Sequence, residues 1–186
     1  MIQSVQGLPV LFAGLLLAGA ASAAPPSKTP VPAATPAPAQ APCAAPEYRQ
    51  FDFWLGDWDI SSPDGKPAGS NKIVSILNGC AIQENWTGAK GAHGTSLNLY
   101  DSATRRWHQT WVDDSGGLLV LDGEFRDGNM VLAGRRPSQK TRGTVLTHRI
   151  TWTSLPGERV RQLWEASPND GRTWQTVFDG TYTKRK

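Results

Sequence analysis

The side chains able to do chemistry in this chain are few and scattered. They are the three histidines at positions 93, 108 and 148, Ser96, and two carboxylates, Glu84 and Glu165, in tryptophan-rich stretches. Hydrolysis asks for a nucleophile beside a base, a metal cluster, or two carboxylates at a set separation. Ser96 lies in Gly94-Thr95-Ser96-Leu97-Asn98, which is not a Gly-x-Ser-x-Gly elbow. The histidines have no carboxylate at ligand spacing. Glu84 and Glu165 could pair across an interior, or be neutralised by Arg149 or Arg161, because buried charge is normally paired. No glycine-rich loop leaves a strand and opens a helix, so nucleotide binding has no support. The residues predict no catalytic centre, no metal site and no cofactor.

A different pattern does recur: large aromatics with Glu or Gln on one strand face. Trp107, Gln109 and Trp111 alternate together, as do Ile82, Glu84 and Trp86. Val160, Gln162, Trp164 and Ala166 oppose Arg161, Leu163 and Glu165, while Trp174, Thr176, Phe178 and Tyr182 align in the last strand. Two functions of different class fit this pattern. One is a small apolar or aromatic ligand stacked on Trp107, Trp111 and Trp164 and oriented by Glu84, Gln109 and Arg161. The other is a non-enzymatic structural or protein-interaction domain whose interior is packed solid. Arg161 enters the first set because a guanidinium offers a fixed fork of donors for a carboxylate. Gln162 and Trp164 occupy the opposite face of that strand, and alternation alone does not say which face points inward.

The elements that would position these residues read as strands. Pro46 opens a short helix to Leu55, with Phe51, Trp54 and Leu55 at helical spacing, and Gly56 ends it. Short strands follow, at Trp58 to Ser61, Lys72 to Leu77, Ala81 to Thr87, Thr95 to Tyr100, Trp107 to Val112, Leu118 to Phe125, Met130 to Gly134, Thr144 to Thr153, Arg159 to Ala166 and Thr173 to Tyr182. Turn signals such as Ser62-Pro63-Asp64-Gly65, Asn78-Gly79 and Asp127-Gly128 separate them. So many short, evenly spaced strands predict an antiparallel meander, and closing it into a barrel removes the sheet edges.

Residues 1–23 read as a secretory signal: an apolar run from Leu8 to Ala20, too short to span a membrane, then an Ala21-Ser22-Ala23 cleavage site. Residues 24–46 are rich in Pro and Ala and form a linker that cannot bury enough surface to order itself. Residues 47–186 remain for one barrel domain, expected in the periplasm or outside the cell and not inserted in the membrane once the signal is cut. Cys43 and Cys80 are the only cysteines, and an oxidising compartment would join them. Such a bond would clip the end of the linker onto the second strand region, across a barrel mouth. The formal charge of +3 is scattered in doublets such as Arg105-Arg106 and Arg135-Arg136, the pattern of a solvated rim and not of a nucleic-acid surface.

The Gly56-Asp57-Trp58 tripeptide resembles the Gly-x-Trp signature that opens lipocalins and related calycins, where the tryptophan closes the barrel base. Over nearly all of the exported domain the chain resembles a family of uncharacterised secreted bacterial proteins of the lipocalin-like superfamily, which open with Phe-Asp-Phe-Trp-Leu-Gly-x-Trp, here Phe51 to Trp58. Further matching blocks include Gly79-Cys80 with Glu84 and Trp86, Trp107 to Trp111, Arg161 to Glu165, and Phe178-Asp179-Gly180 with Tyr182. The resemblance implies the barrel, an envelope location and structural roles for Trp54, Gly56 and Trp58, but no substrate. Haem-binding calycins such as nitrobindin are more remotely similar. They ligate iron through a histidine on a late strand, and His148 lies on one, sharing its face with Ile150 and Trp152 as a packed or rim histidine would. Ser167 to Trp174 resembles the Asp-box turn of sialidases, with Asn169 at the Asp position. That resemblance implies a self-bonded hairpin with Trp174 tucked beneath it and no chemistry.

Overall fold

Alternating stretches of β-branched and aromatic residues form ten antiparallel strands in a computed structural model that describes residues 42–185. The expected signal at residues 1–23 and most of the linker, residues 24–41, lie outside the described residues. The strands are β1 (Gly56–Ser61), β2 (Pro67–Ile76), β3 (Ala81–Gly88), β4 (His93–Asp101), β5 (Arg106–Asp113), β6 (Leu118–Arg126), β7 (Asn129–Pro137), β8 (Val145–Leu155), β9 (Arg159–Ser167) and β10 (Gln175–Lys184). Each pairs with the next in sequence, and β1 pairs with β10, so the meander closes into a barrel. This all-β architecture is consistent with the lipocalin-like, calycin class.

The turns follow the local chemistry. Between β2 and β3, Asn78 and Gly79 both take positive φ, 56° and 85°, a conformation that costs Asn and Gly least. Asp127 and Gly128 do the same between β6 and β7, at 51° and 77°.

The short helix before β1 is present as two 3₁₀ turns, Pro46–Arg49 and Asp52–Trp54, and not as one α-helix. The tighter winding brings residues three apart onto one line, so Phe51 and Trp54 stack with ring centroids 4.8 Å apart. Both are fully buried and plug one end of the barrel. Phe51 meets Trp107 and Trp152 edge-on at 5.6 and 5.2 Å, and Trp58 donates its indole N–H to the Trp54 carbonyl at 2.9 Å. Trp58 is 2% exposed and packs at the same end of the barrel.

The disulfide between Cys43 and Cys80 is formed, with an S–S distance of 2.04 Å. It ties the segment before the plug to the β2–β3 connection, and Arg49 reinforces the same contact by donating to the Gly79 carbonyl. The clip therefore lies at the plugged end, and the opposite mouth stays open.

One expected register changes within β10. Its pairing with β9 shifts between Thr176 and Phe178, a bulge that inserts one residue. Phe178, Gly180 and Tyr182 face inward opposite Trp164, Gln162 and Val160, while Thr176 lies opposite the outward Glu165. Trp174 is consequently outside, covered by the Arg149 guanidinium 4.0 Å above its ring. The expected alignment of Trp174 with Phe178 and Tyr182 fails because a period of two cannot be carried across a bulge.

Candidate functional site

The inward side chains divide the barrel into two halves. Below lies an aromatic and aliphatic plug of Phe51, Trp54, Trp58, Trp107, Met130, Leu132, Trp152 and Tyr182, each at most 2% exposed. Above it runs a belt of hydrogen-bonded polar side chains, and above the belt a cavity of about 200 Å³ opens at the far mouth.

The belt can be followed strand by strand. The Tyr182 hydroxyl on β10 donates to Gln162 Oε1 on β9 and lies 3.4 Å from Asn71 Nδ2 on β2. Asn71 Nδ2 donates to Glu84 Oε1 on β3 at 2.7 Å, and Ser96 Oγ on β4 donates to Glu84 Oε2 at 2.6 Å. Asn98 Nδ2 donates to Ser96 Oγ at 2.9 Å, and Gln109 Nε2 on β5 donates to Asn98 Oδ1, also at 2.9 Å. Glu84 is the one carboxylate in this chain of contacts and is 3% exposed. Burial pushes its carboxyl up to about 7, against the pull of the Ser96 and Asn71 hydrogen bonds. Burial, with the Glu84 charge beside it, likewise holds the Tyr182 phenol well above its ordinary range.

Cavity walls are aromatic. Trp86, Trp111, Trp164 and Phe178 surround it, with Leu119, Ile150 and Val177, over a floor that includes Glu84, Gln109, Gln162 and Tyr182. Trp86 and Phe178 meet edge to face at 5.6 Å. Trp111 lies across Gly94 on the neighbouring strand, where a Cβ would fall 2.1 Å from its ring carbon Cζ2. Trp164 is fixed by donating its N–H to His148 Nδ1 at 3.0 Å.

Of the six residues expected to bind a ligand, the fold brings four to the cavity: Glu84, Gln109, Trp111 and Trp164. Trp107 points inward but sits in the plug, bonded through its indole N–H to Gln50 Oε1 at 3.0 Å. Arg161 is on the outer face, where its guanidinium forks onto Asp179 at 2.9 and 2.7 Å. A charged group with a carboxylate diagonally across the β9–β10 ladder satisfies itself at the surface, and Gln162 with Trp164 takes the interior. Glu165 is also outside, paired with Arg149 at 2.8 Å, so neither the Glu84–Glu165 pair nor neutralisation of Glu84 by Arg149 or Arg161 occurs.

Asn71, Ser96, Asn98, Gln162 and Tyr182 complete the belt. Ser96 and Asn98 alternate on β4 as two polar residues facing one way, a signal that period two alone could have revealed. Asn71 lies in β2, one residue before the expected start of that strand, so its face was not read.

The histidines stay apart. His148 is 5% exposed, faces inward beside Ile150 and Trp152, and accepts the Trp164 hydrogen bond; burial, aided by Arg136, lowers its basicity. His108 lies outside, its Nδ1 2.8 Å from Asp122 and its Nε2 2.8 Å from Thr110. This order of hydroxyl, imidazole and carboxylate is that of an activated nucleophile. It lies on the outer face of β5, however, with the backbone on either side of Thr110 committed to the ladders with β4 and β6, and His108 and Asp122 border a shallow depression that Asp101, Thr104 and Arg106 also line. Thr110, the hydroxyl that would attack, is not among the residues lining that depression. The Ser167–Trp174 turn is self-bonded, with Ser167 Oγ accepting from the Gly171 N–H at 2.8 Å and Asn169 Oδ1 from the Thr173 N–H at 2.9 Å. Among the described residues no helix is long and apolar enough to cross a membrane.

Compared with known proteins, the chain matches no family model and no curated protein.

Proposed function

We propose that the domain is a non-enzymatic structural or protein-interaction barrel of the cell envelope, exported by its first 23 residues and belonging to the uncharacterised lipocalin-like family that its blocks resemble. The observation that carries this reading is the polar belt. Its members chiefly satisfy one another over a filled plug, so most of the interior is committed to holding the barrel together. Buried polar groups satisfied in this way add specificity to a fold at little net cost. Native-state hydrogen exchange tests the reading. Amides of β2–β5 and β8–β10 beside the belt should exchange only through global unfolding, and a cooperative unit that opens separately would count against a packed scaffold.

A second reading adds to the first and rests on the cavity. Above the belt, Trp86, Trp111 and Trp164 offer stacking surfaces, with Glu84, Gln109 and Gln162 as polar anchors, for a small apolar or aromatic molecule. At about 200 Å³ the space lies below the usual range for ligand sites of about 300–1,000 Å³, which sets a low limit on ligand size. Tryptophan emission and the melting temperature, followed across a panel of small molecules, test it; a saturable shift in both is expected.

A further inference from the structure

Glu84 stands out among the acidic groups of the barrel because it is buried and no cation answers it. Among the described residues no Lys, Arg or His side chain bonds or pairs with its carboxylate; both of its contacts, Asn71 and Ser96, are neutral. Lys72 on the adjacent strand β2 is exposed, on the face opposite Asn71, and the arginines of β8 and β9 are engaged outside, Arg149 with Glu165 and Arg161 with Asp179. A buried carboxylate without a counter-charge is costly, and removing the cost takes either a proton or a cation. Two accepted hydrogen bonds leave lone pairs on both oxygens, so the group has capacity for a further contact.

The walls above it make the second solution specific. Indole and phenyl faces carry negative electrostatic potential and attract cations, most strongly when the site is desolvated. Trp86, Trp111, Trp164 and Phe178 line the same cavity that has Glu84 in its floor. Two of these rings are held in place: Trp111 by its seat on Gly94, and Trp164 by its bond to His148. Gln109 and Gln162 add amide groups for a polar substituent. At about 200 Å³ the space admits only a small guest.

We propose that the open end of the barrel is a binding site for a small organic ammonium ion, its charge set against the Glu84 carboxylate and its alkyl groups against Trp86, Trp111, Trp164 and Phe178. This inference rests on the cavity-ligand reading and narrows it to a chemical class. A neutral aromatic guest would use the same rings and gain nothing from Glu84. An anion would be repelled by Glu84 and would find no positive group among the lining residues.

The test compares choline with its neutral isostere 3,3-dimethylbutan-1-ol, by isothermal titration calorimetry and tryptophan emission on the full chain at pH 8. Choline should bind at least about tenfold more tightly than the isostere. Glu84→Gln should bring the ratio close to one, with a cooperative melt confirming that the variant is folded. Trp111→Leu, which leaves the belt intact, should weaken choline more than the isostere. Equal affinity of the two probes for the unmodified protein would overturn the ammonium assignment while leaving the cavity-ligand reading in place. Failure of both probes to bind would overturn the ammonium proposal, and the small-molecule panel then decides the cavity-ligand reading separately. A folded E84Q protein that keeps the full preference would remove Glu84 from the site and overturn the proposal.

Discussion

Ser96 donates its hydroxyl to Glu84 Oε2 at 2.6 Å, directly across the β3–β4 ladder. With Asn71 bonded to the other carboxylate oxygen, this contact places the one buried acid of the barrel at the junction of a packed half and an open half. It also links the acid to Asn98 and Gln109, because the Ser96 oxygen accepts from Asn98 Nδ2 while its proton goes to Glu84.

Ser96→Ala takes a donor from Glu84 and an acceptor from Asn98. A buried group left unsatisfied costs about 1–3 kcal/mol, more when it is charged. The Ser96 bond also lowers the Glu84 pKa, so its loss should push that value higher. Urea unfolding at pH 5 and pH 8 should show the greater loss at pH 8, where the carboxylate is ionised. Equal losses at the two pH values would mean that Ser96 matters only as packing.

Glu84 should make the barrel less stable as pH rises. In the unfolded chain the carboxyl titrates at its ordinary value of 4.5, and in the barrel at about 7. At this group the folded state therefore holds more of the proton between these values, and the Glu84 contribution to stability is greatest below 4.5 and declines until pH passes about 7. The full decline is on the order of 3 kcal/mol. Tyr182, the other titratable group of the belt, is pushed well above 10 and does not contribute in this window. His148, whose basicity burial lowers, adds a rise of opposite sign below pH 6.5, so the Glu84 slope is read as the difference between the melting curves of the unmodified protein and Glu84→Gln from pH 4.5 to 8.

Reduction of the Cys43–Cys80 bond should cost roughly 4 kcal/mol on the chain-entropy estimate for a loop of 37 residues. Unfolding of Cys43→Ser/Cys80→Ser against the oxidised protein checks the magnitude. Intact mass with and without reduction, followed by alkylation, checks the pairing. The cavity should keep its tryptophan emission, because the clip lies at the other end.

Trp58→Ala should cost about 3–5 kcal/mol, a large part of a typical total of 5–15, because it empties an indole-sized site in the plug. It also leaves the Trp54 carbonyl without its donor. An unchanged melting midpoint would remove Trp58 from the barrel closure.

Arg161→Ala should leave the cavity unaltered. The Arg161–Asp179 pair is partly exposed, and such pairs are worth about 0–1 kcal/mol. Stability should stay within that range, and tryptophan emission and probe affinity should not change. Gln162→Ala, on the inner face of the same strand, should perturb both.

Local chemistry made the architecture legible in the sequence. Turn residues with positive φ, strands of period two and a Gly56-Asp57-Trp58 entry to the first strand are short-range features, and each strand then pairs with its neighbour in the chain. The pairing of the two cysteines and the shared face of Ile82, Glu84 and Trp86 were readable in the same way. Which face of β9 lines the interior was not. Hydrophobicity failed as a guide there because the inside carries Asn71, Glu84, Asn98, Gln109 and Gln162, while Leu97, Val112, Leu118 and Val120 stand exposed outside. Arg161 could be placed only once the β9–β10 register set Asp179 diagonally beside it, and Trp174 only once the β10 bulge turned it outward. The belt itself joins residues up to 111 positions apart, Asn71 with Tyr182, through the meeting of the first and last strands. A contact of that kind has no local signal, since it exists only when the barrel is closed.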